Sequence, residues 1–294
     1  MTSIIRVPKR KTHRIVKELG SGTLGGALQA VVGHPLDLIK VRMQAAPQHF
    51  PSTIATVQSI LRNESIAGFF KGLSIPLISC GFTNATLFTF YGTSKRVVAS
   101  TYNVENVADL SLSQVCISSW LSAPFYCLVL CPIEVLKCNL QYQSNTTELR
   151  YNGPLQAARA LGTRGLLKGY LPTLGTRMIG SPFYFCSYEA TKNLLINEGN
   201  VDEKSMTIGL LSGFAAGICF WSANFPVDLI KTRMQLSSSK SKMNPWQVAR
   251  EIFGKEGGLF GLYRGFLPCI LRAGPANAVA FGGYEFGMRC FSDE

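Results

Sequence analysis

Three acid–base pairs recur along the chain, with the two charges of each pair three residues apart. They are Asp37 with Lys40, Glu134 with Lys137, and Asp228 with Lys231. Each pair follows a proline, and these prolines (Pro35, Pro132 and Pro226) are spaced 97 and 94 residues apart. Residues three apart share a helix face, so one interpretation is a local pair within each helix. Three copies around an axis can instead pair between neighbouring helices and close a ring. Ionisable groups at the end of a membrane span are costly unless paired, and they are typical of a transport path.

A second element follows each proline at a similar distance. It is a cation followed by glycine, namely Lys71-Gly72, Lys168-Gly169 and Arg264-Gly265. Two landmarks that recur in the same order three times indicate a tripled unit, and each unit is too long for a solenoid repeat. We therefore predict one domain over residues 1–294, built from repeats at about 12–100, 108–198 and 204–291, each holding two long helices and a connection.

The composition indicates a membrane protein. Hydrophobic residues make up 47% of the chain and charged residues 16%, whereas soluble domains carry about 25% charge. Uncharged stretches at 19–36, 72–94, 110–133 and 206–227 approach the roughly 20 residues that a transmembrane helix needs. Two further apolar stretches, 178–188 and 273–284, are shortened by Arg177 and Arg272. We predict an all-α membrane protein with six transmembrane helices, pseudo-threefold symmetry and three short amphipathic helices near 52–62, 154–161 and 245–253.

The net charge of +12 does not indicate nucleic-acid binding. Sixteen of the 29 Lys and Arg residues lie in the segments that follow the first, third and fifth predicted helices, so they mark one membrane face. The basic N-terminus has no acid before Glu18, as in transit peptides, but it lacks an amphipathic run; we predict a solvated tail, with a transit peptide as the alternative. The nine cysteines show no metal-binding spacing and the three histidines are scattered. The sequence therefore predicts no catalytic residue, no metal site and no cofactor.

Small residues and prolines predict how the long helices pack. The apolar pattern continues past each proline, so the helix should bend there rather than end. Gly209, Gly213 and Gly217, at steps of four, predict close approach of a neighbouring helix. Each cation–glycine step opens an even-numbered helix, where backbone N–H groups favour phosphate. We therefore predict anionic lipid, such as cardiolipin, at Lys71-Gly72, Lys168-Gly169 and Arg264-Gly265.

A weaker set of charges ends the even-numbered helices. It comprises Lys95, Glu189, Lys192 and Glu285. Gly92 and Met288 stand where the pattern would have another acid and another base. If an acid of one even helix pairs with a base of the next, only Glu285 with Lys95 can form, whereas three pairs can form in the first set.

These motifs resemble the mitochondrial carrier family over the whole chain. The family pattern is Pro-x-(Asp/Glu)-x-x-(Lys/Arg) in three copies, each followed by an aromatic-(Lys/Arg)-Gly element. The resemblance implies six tilted helices around a central cavity, in the mitochondrial inner membrane, with both termini toward the intermembrane space. It also implies alternating access between two gates. The matrix gate would be Asp37, Lys40, Glu134, Lys137, Asp228 and Lys231, and the cytoplasmic gate Lys95, Glu189, Lys192 and Glu285. The unequal gates predict a cytoplasm-open resting state and return of the empty carrier.

Within the family, residues 272–278 followed by Tyr284-Glu285 are similar to the sixth helix of the carnitine/acylcarnitine and basic-amino-acid carriers. Those carriers have an arginine followed by an acid in the fourth helix. Here Met178 follows Arg177. The resemblance implies a solute transporter, and we expect it to work as a monomer. Because the sequence shows no nucleophile, metal cluster or cofactor loop, we predict that it is not an enzyme.

The charges that remain after both gates are assigned predict the substrate. They are Arg177 and Arg272, with no acid left to hold a second ammonium group. Arginine grips a carboxylate with two hydrogen bonds, and an aromatic face can hold a quaternary ammonium. Trp120, Tyr126, Phe183 and Tyr184 are candidates for that face. Asn84 and Asn277 either contact substrate or join helices. We predict a carboxylate-bearing zwitterion such as carnitine, acylcarnitine or an amino acid. The alternatives are another small carboxylate, a basic amino acid, or a scaffold or receptor that has lost transport.

Overall fold

The chain folds into long helices joined by short ones. The computed structural model describes residues 9–143, 151–197, 206–237 and 244–290, and these residues contain no β-strand. The long helices are α1 (Lys9–Ala45), α3 (Ser74–Thr101), α4 (Leu112–Tyr142), α6 (Tyr170–Asn197), α7 (Met206–Leu236) and α10 (Phe266–Cys290). The short ones are α2 (Thr53–Glu64), α5 (Pro154–Leu166), α8 (Pro245–Lys255) and α9 (Leu259–Leu262), with 3₁₀ turns at Ile66–Phe70 and Val107–Asp109. The predicted all-helical membrane fold is confirmed.

The long helices differ in how apolar they are. Within the described residues, three segments are long and apolar enough to cross a membrane by themselves, namely Ile66–Thr101, Leu112–Tyr142 and Thr207–Leu236. The other three long helices carry charges or basic ends that lower their mean hydropathy: α1 starts in a basic stretch, Arg177 interrupts α6 and Arg272 interrupts α10. These three depend on their neighbours to screen the charges from lipid.

The prolines lie inside the long helices, as predicted. Pro35 is within α1, Pro132 within α4 and Pro226 within α7. Proline removes one backbone hydrogen bond, but in a membrane bundle the neighbouring helices supply alternative partners and the helix continues. The charged pairs therefore lie on the segments of α1, α4 and α7 beyond the prolines.

The short helices begin where the capping residues predict. Ser52 precedes α2 and accepts a hydrogen bond from the Ala55 amide at 3.2 Å. Asn244 precedes α8 and accepts one from the Trp246 amide at 3.1 Å. Pro154 and Pro245 occupy the first helical positions of α5 and α8, where a missing N–H costs nothing.

The six long helices form a closed barrel in chain order, with α10 returning to α1. At one end α1, α4 and α7 also contact one another directly. Three buried apolar clusters lie at that end, between these helices and the short ones. They include Leu38 and Ile60 in the first repeat, Leu140 and Ala157 in the second, and Leu229 and Ile252 in the third. A fourth cluster, with Val98 and Leu110, lies where the end of α3 meets the start of α4. The three equivalent clusters fix the helix ends that carry the charges.

Glycines of α1 and α7 have different roles. A Cβ atom at Gly25 of α1 would lie 2.6 Å from the carbonyl oxygen of Ala280 on α10, so these helices touch through their backbones. Gly209, Gly213 and Gly217 have no neighbouring atom within 4 Å of such a Cβ. The prediction that they bring helices together is wrong, because this face of α7 points toward open space. The close approach of α6 and α7 occurs instead at Gly180, against Asn224 and Phe220.

Candidate functional site

The six charged side chains that follow the prolines meet in one ring, which we call the charged ring. Lys137 of α4 lies 2.6 Å from Asp37 of α1. Lys40 of α1 lies 2.6 Å from Asp228 of α7, and Lys231 of α7 lies 3.2 Å from Glu134 of α4. Each pair joins two different repeats. Lys231 also contacts Asp228 within its own helix at 3.1 Å, so the local and the interhelical interpretations both apply to this lysine.

Arg272 of α10 extends the charged ring. Its Nε atom lies 3.1 Å from Oδ1 of Asp37, while Lys137 contacts Oδ2 of the same carboxylate. The expectation of two cavity arginines without an acid partner is therefore wrong for Arg272. The sequence places Arg272 at membrane depth, but it does not show how far α10 is shifted along α1. The structure shows this shift at Gly33, where a Cβ atom would lie 3.3 Å from the Arg272 side chain.

A further layer of charges lies beyond the charged ring, and the sequence analysis missed it. Arg42 of α1 makes two hydrogen bonds with Glu64 at the end of α2, at 2.7 and 2.9 Å. Arg233 of α7 pairs with Glu256 after α8 in the same way. Burial alone would raise the pKa of Glu64, but the hydrogen bonds from Arg42 and Lys71 outweigh it and hold this pKa below its usual value of 4.5. The recurrence of Arg–Glu in two repeats was the available signal.

A cavity of about 1040 Å³ opens above the charged ring. Three of the four predicted substrate-binding residues line it: Arg177, Arg272 and Asn277. Its wall is mainly aromatic and aliphatic, and the described residues that line it include no Asp or Glu. Gly209, Gly213 and Gly217 also line it, so bare backbone forms part of the wall on α7. This size suits a small organic molecule.

Arg177 is the cavity cation that has no carboxylate partner among the described residues. Its guanidinium carbon lies 5.1 Å from the centre of the Tyr126 ring, within the range of a cation–π interaction. A ring face holds the guanidinium in position but leaves its in-plane N–H groups free to donate. Arg177 is therefore prepared to bind an anion.

The two predicted asparagines lie in different surroundings. Asn277 accepts a hydrogen bond from Gln29 at 3.0 Å, and both residues line the cavity. Asn84 is not part of the cavity lining; its amide nitrogen instead lies beside Gly26, 3.4 Å from where a Cβ atom would be. The structure thus favours the helix-joining alternative for Asn84 and adds Gln29 to the cavity.

The aromatic candidates divide in the same way. Tyr126 and Tyr184 line the cavity, whereas Phe183 and Trp120 are outside its lining. The Trp120 N–H donates to the carbonyl of Met178 at 2.8 Å, which joins α4 to α6. Trp221, which the sequence analysis did not single out, lines the cavity and lies 4.4 Å from the Lys40 ammonium.

Comparison with known proteins identifies this arrangement. The family described as "Mitochondrial carrier protein" matches residues 11–102, 108–199 and 202–294, so its pattern covers the chain three times. The chain belongs to the mitochondrial carrier family. Members of this family are multi-pass transporters of the mitochondrial inner membrane, not enzymes.

Individual carriers resemble the chain along nearly its whole length. A mitochondrial carnitine/acylcarnitine carrier-like protein of Arabidopsis thaliana is 35% identical over 92% of this chain and 96% of its own. The mitochondrial carnitine/acylcarnitine carrier protein of Homo sapiens is 35% identical over 93% and 94%. A glutamate/glycine mitochondrial carrier of Schizosaccharomyces pombe is 32% identical over 95% and 96%. These relatives differ in the substrate that their names state, so they establish a carrier and not its substrate.

The end of this carrier opposite the charged ring is arranged differently. Among the described residues Lys95 and Glu285 form no ion pair with each other, and the Lys95 ammonium lies 4.8 Å from the centre of the Tyr91 ring. Glu189 and Glu285 are exposed. Among the described residues, the ring of ion pairs between repeats thus lies at the charged-ring end.

The glycine of each cation–glycine step is required by the backbone conformation at that position. Gly72, Gly169 and Gly265 have φ values of 80°, 87° and 85°, a backbone conformation that favours glycine. They pack against the ends of α4, α7 and α1, at Gln141, Gln235 and Gln44. Of the adjoining cations, Lys71 pairs with Glu64 at 2.7 Å and Lys168 donates to the Ser237 carbonyl at 3.3 Å.

Proposed function

We propose that this carrier moves a carboxylate-bearing zwitterion, such as carnitine, an acylcarnitine or an amino acid, across the inner membrane by alternating access. The observation that carries the proposal is Arg177, a cavity cation with no carboxylate partner among the described residues. The part of the cavity lining that the structure describes also lacks Asp and Glu, which disfavours a substrate whose second charge is an ammonium that needs an acid. The names of the relatives, carnitine and glutamate/glycine carriers, agree with this class.

In this proposal the charged ring is the matrix gate. Its three interhelical ion pairs hold α1, α4 and α7 together below the cavity. Lys95, Glu189, Lys192 and Glu285 form the cytoplasmic gate. The substrate carboxylate binds Arg177 and competes with Asp37 for Arg272, so that occupancy weakens the ring at the point where it contacts the cavity.

Two partners complete the proposal. Anionic lipid phosphate binds at the starts of α3, α6 and α10, beside Lys71-Gly72, Lys168-Gly169 and Arg264-Gly265, where N–H groups and a cation coincide. The carrier works as a monomer, because one chain supplies the whole cavity. Native mass spectrometry would test both proposals by counting the chains and the lipids that remain bound.

An uptake screen in proteoliposomes tests the substrate class, with radiolabelled carnitine, acylcarnitines, glutamate, glycine and lysine. We expect uptake of a zwitterion and little uptake of lysine. The Arg177→Ala variant should lower uptake about tenfold or more, because hydrogen bonds to a charged group are worth about 1.5–3 kcal/mol. Arg159→Ala, on the exposed surface of α5, is the matched control. Unchanged uptake by Arg177→Ala would contradict the proposal.

A further inference from the structure

The three interfaces that close the bundle beyond the charged ring are unequal. At each interface, a residue near the end of one helix donates to a carbonyl at the end of the next. Arg42 donates to Gln141 and Gln143 of the second repeat at 3.2 and 2.9 Å. Arg233 donates to Gln44 at 2.8 Å. At the α4–α7 interface the equivalent donor is Asn139, which reaches Gln235 at 3.1 Å.

The second repeat also lacks the acid that holds the donor in place. Glu64 and Glu256 each stand directly before a residue with positive φ, Ser65 and Gly257. The matching position in the second repeat precedes Gly162, which has a φ of 61°, and it is occupied by Leu161. Asn139 is uncharged and Leu161 cannot accept a hydrogen bond. Within the described residues, the α4–α7 interface therefore lacks the Arg–Glu bridge that the α1–α4 and α7–α1 interfaces have.

The charged ring is weakest at the same interface. The Lys231–Glu134 distance of 3.2 Å exceeds the 2.6 Å of the other two interhelical pairs. Lys231 divides its charge between Glu134 and Asp228. Oε2 of Glu134 is buried without a hydrogen-bond partner in the described part of the chain. Lys168 donates a hydrogen bond to the Ser237 carbonyl across the same interface, at 3.3 Å.

We propose that the α4–α7 interface separates first when the charged ring opens, and that Asn139 and Leu161 are the positioning residues that make it do so. Hydrogen bonds to charged groups are stronger than those between neutral groups, so the interface with a neutral donor is the least costly to break. The ring then opens as a slit between the second and third repeats and not evenly around the axis. This inference rests on the alternating access proposed above.

Distances between spin labels test the order of opening. The labels are carried by a noncanonical amino acid at positions 45, 142 and 236, the ends of α1, α4 and α7, which avoids the nine native cysteines. Pulsed electron resonance in proteoliposomes gives the three distances with and without carnitine, glycine or glutamate. We expect the 142–236 distance to lengthen most. Equal lengthening of all three distances would overturn the proposal.

Two variants separate a positioning role from a general effect on folding. Asn139→Arg with Leu161→Glu installs the missing bridge; we expect fewer long 142–236 distances and uptake about tenfold slower, since a charged hydrogen bond is worth about 1.5–3 kcal/mol. The matched control is Asn139→Arg with Ala160→Glu, which places the acid one residue away on the exposed face of α5. It should slow uptake less and change the 142–236 distances less than the paired variant, because its arginine has no acid to hold it across the interface. The same effect in both variants would overturn the proposal.

A variant in which a bridge is removed from another interface tests the proposal even if the installed bridge prevents folding. Arg233→Asn with Glu256→Leu gives the α7–α1 interface the residues of the α4–α7 interface. Long 45–236 distances should then appear beside the long 142–236 distances, and their absence would overturn the proposal. If no probe is transported and no distance changes in the parent, the proposed function fails. If a probe is transported and all three distances lengthen equally, only the proposed order of opening is rejected.

Discussion

The two ends of the helical bundle both carry acid–base patterns, but among the described residues a ring of ion pairs is seen at one end and not at the other. At the charged ring, three ion pairs join different repeats, and apolar clusters fix the helices that carry them. At the opposite end, Lys95 stacks on Tyr91 and Glu285 is exposed. The difference follows from the number of complete acid–base motifs. Three complete motifs can form a cycle of ion pairs, whereas the motifs at the opposite end cannot, because Gly92 and Met288 replace one acid and one base. A gate is thus a property of the whole set of charges and not of any one pair.

The largest effect should come from removing Asp37, which contacts both Lys137 and Arg272. Asp37→Asn leaves two cations without their acid, and breaking such a buried pair costs about 3–5 kcal/mol. We expect a large fall in melting temperature in detergent and loss of uptake. Glu285→Gln, at the opposite end, is the control and should change the melting temperature little. Equal destabilisation by the two variants would contradict the comparison of the two ends.

The two cavity arginines should separate binding from gating. Arg272→Ala removes a cavity cation and a contact of the charged ring, so both uptake and melting temperature should fall. Arg177→Ala removes only a cavity cation stacked on Tyr126; uptake should fall about tenfold or more, with a smaller change in melting temperature. Paired thermal unfolding and uptake measurements on both variants check this. Indistinguishable stabilities would show that Arg272 adds nothing to closure.

The smallest effect should come from completing the motifs of the opposite end. Gly92→Glu with Met288→Lys supplies the missing acid and base, and a Cβ atom at Gly92 meets nothing within 4 Å. Exposed pairs are worth about 0.2–1 kcal/mol each, so closure of this end should improve only slightly. In the parent we expect measurable efflux without a counter-substrate, and the double variant should show less. Strict exchange by the parent would count against the idea that unequal gates let the empty carrier return.

Features set by local pattern or by repetition could be predicted from the sequence. The helix caps at Ser52 and Asn244 are local, and the partners in the charged ring follow from threefold repetition. Features set by contacts between repeats could not. The contact of Arg272 with Asp37 depends on how far α10 slides along α1, and Gly33 sets that register through packing.

The glycine stripe of α7 shows the limit most clearly. Spacing by four predicts a common face for Gly209, Gly213 and Gly217, and that face exists. The sequence does not state whether such a face meets a helix or a cavity. Gly25 and Gly213 have similar small-residue surroundings in the sequence, yet one touches α10 and the other borders open space. Asn139 and Leu161 are the opposite case. Their role becomes visible only when they are compared with the residues at the matching positions of the other two repeats.

The excess of positive charge in the cavity has an electrical consequence. The charged ring is neutral by itself, with three acids and three lysines, so Arg177 and Arg272 leave two positive charges at membrane depth. Each elementary charge that crosses a potential of 100 mV exchanges about 2.3 kcal/mol with the field. A zwitterion leaves that charge unchanged, whereas an anion cancels part of it. Reorientation of the empty and the zwitterion-loaded carrier should therefore respond to voltage alike, and a voltage-clamped bilayer would distinguish the two kinds of cargo.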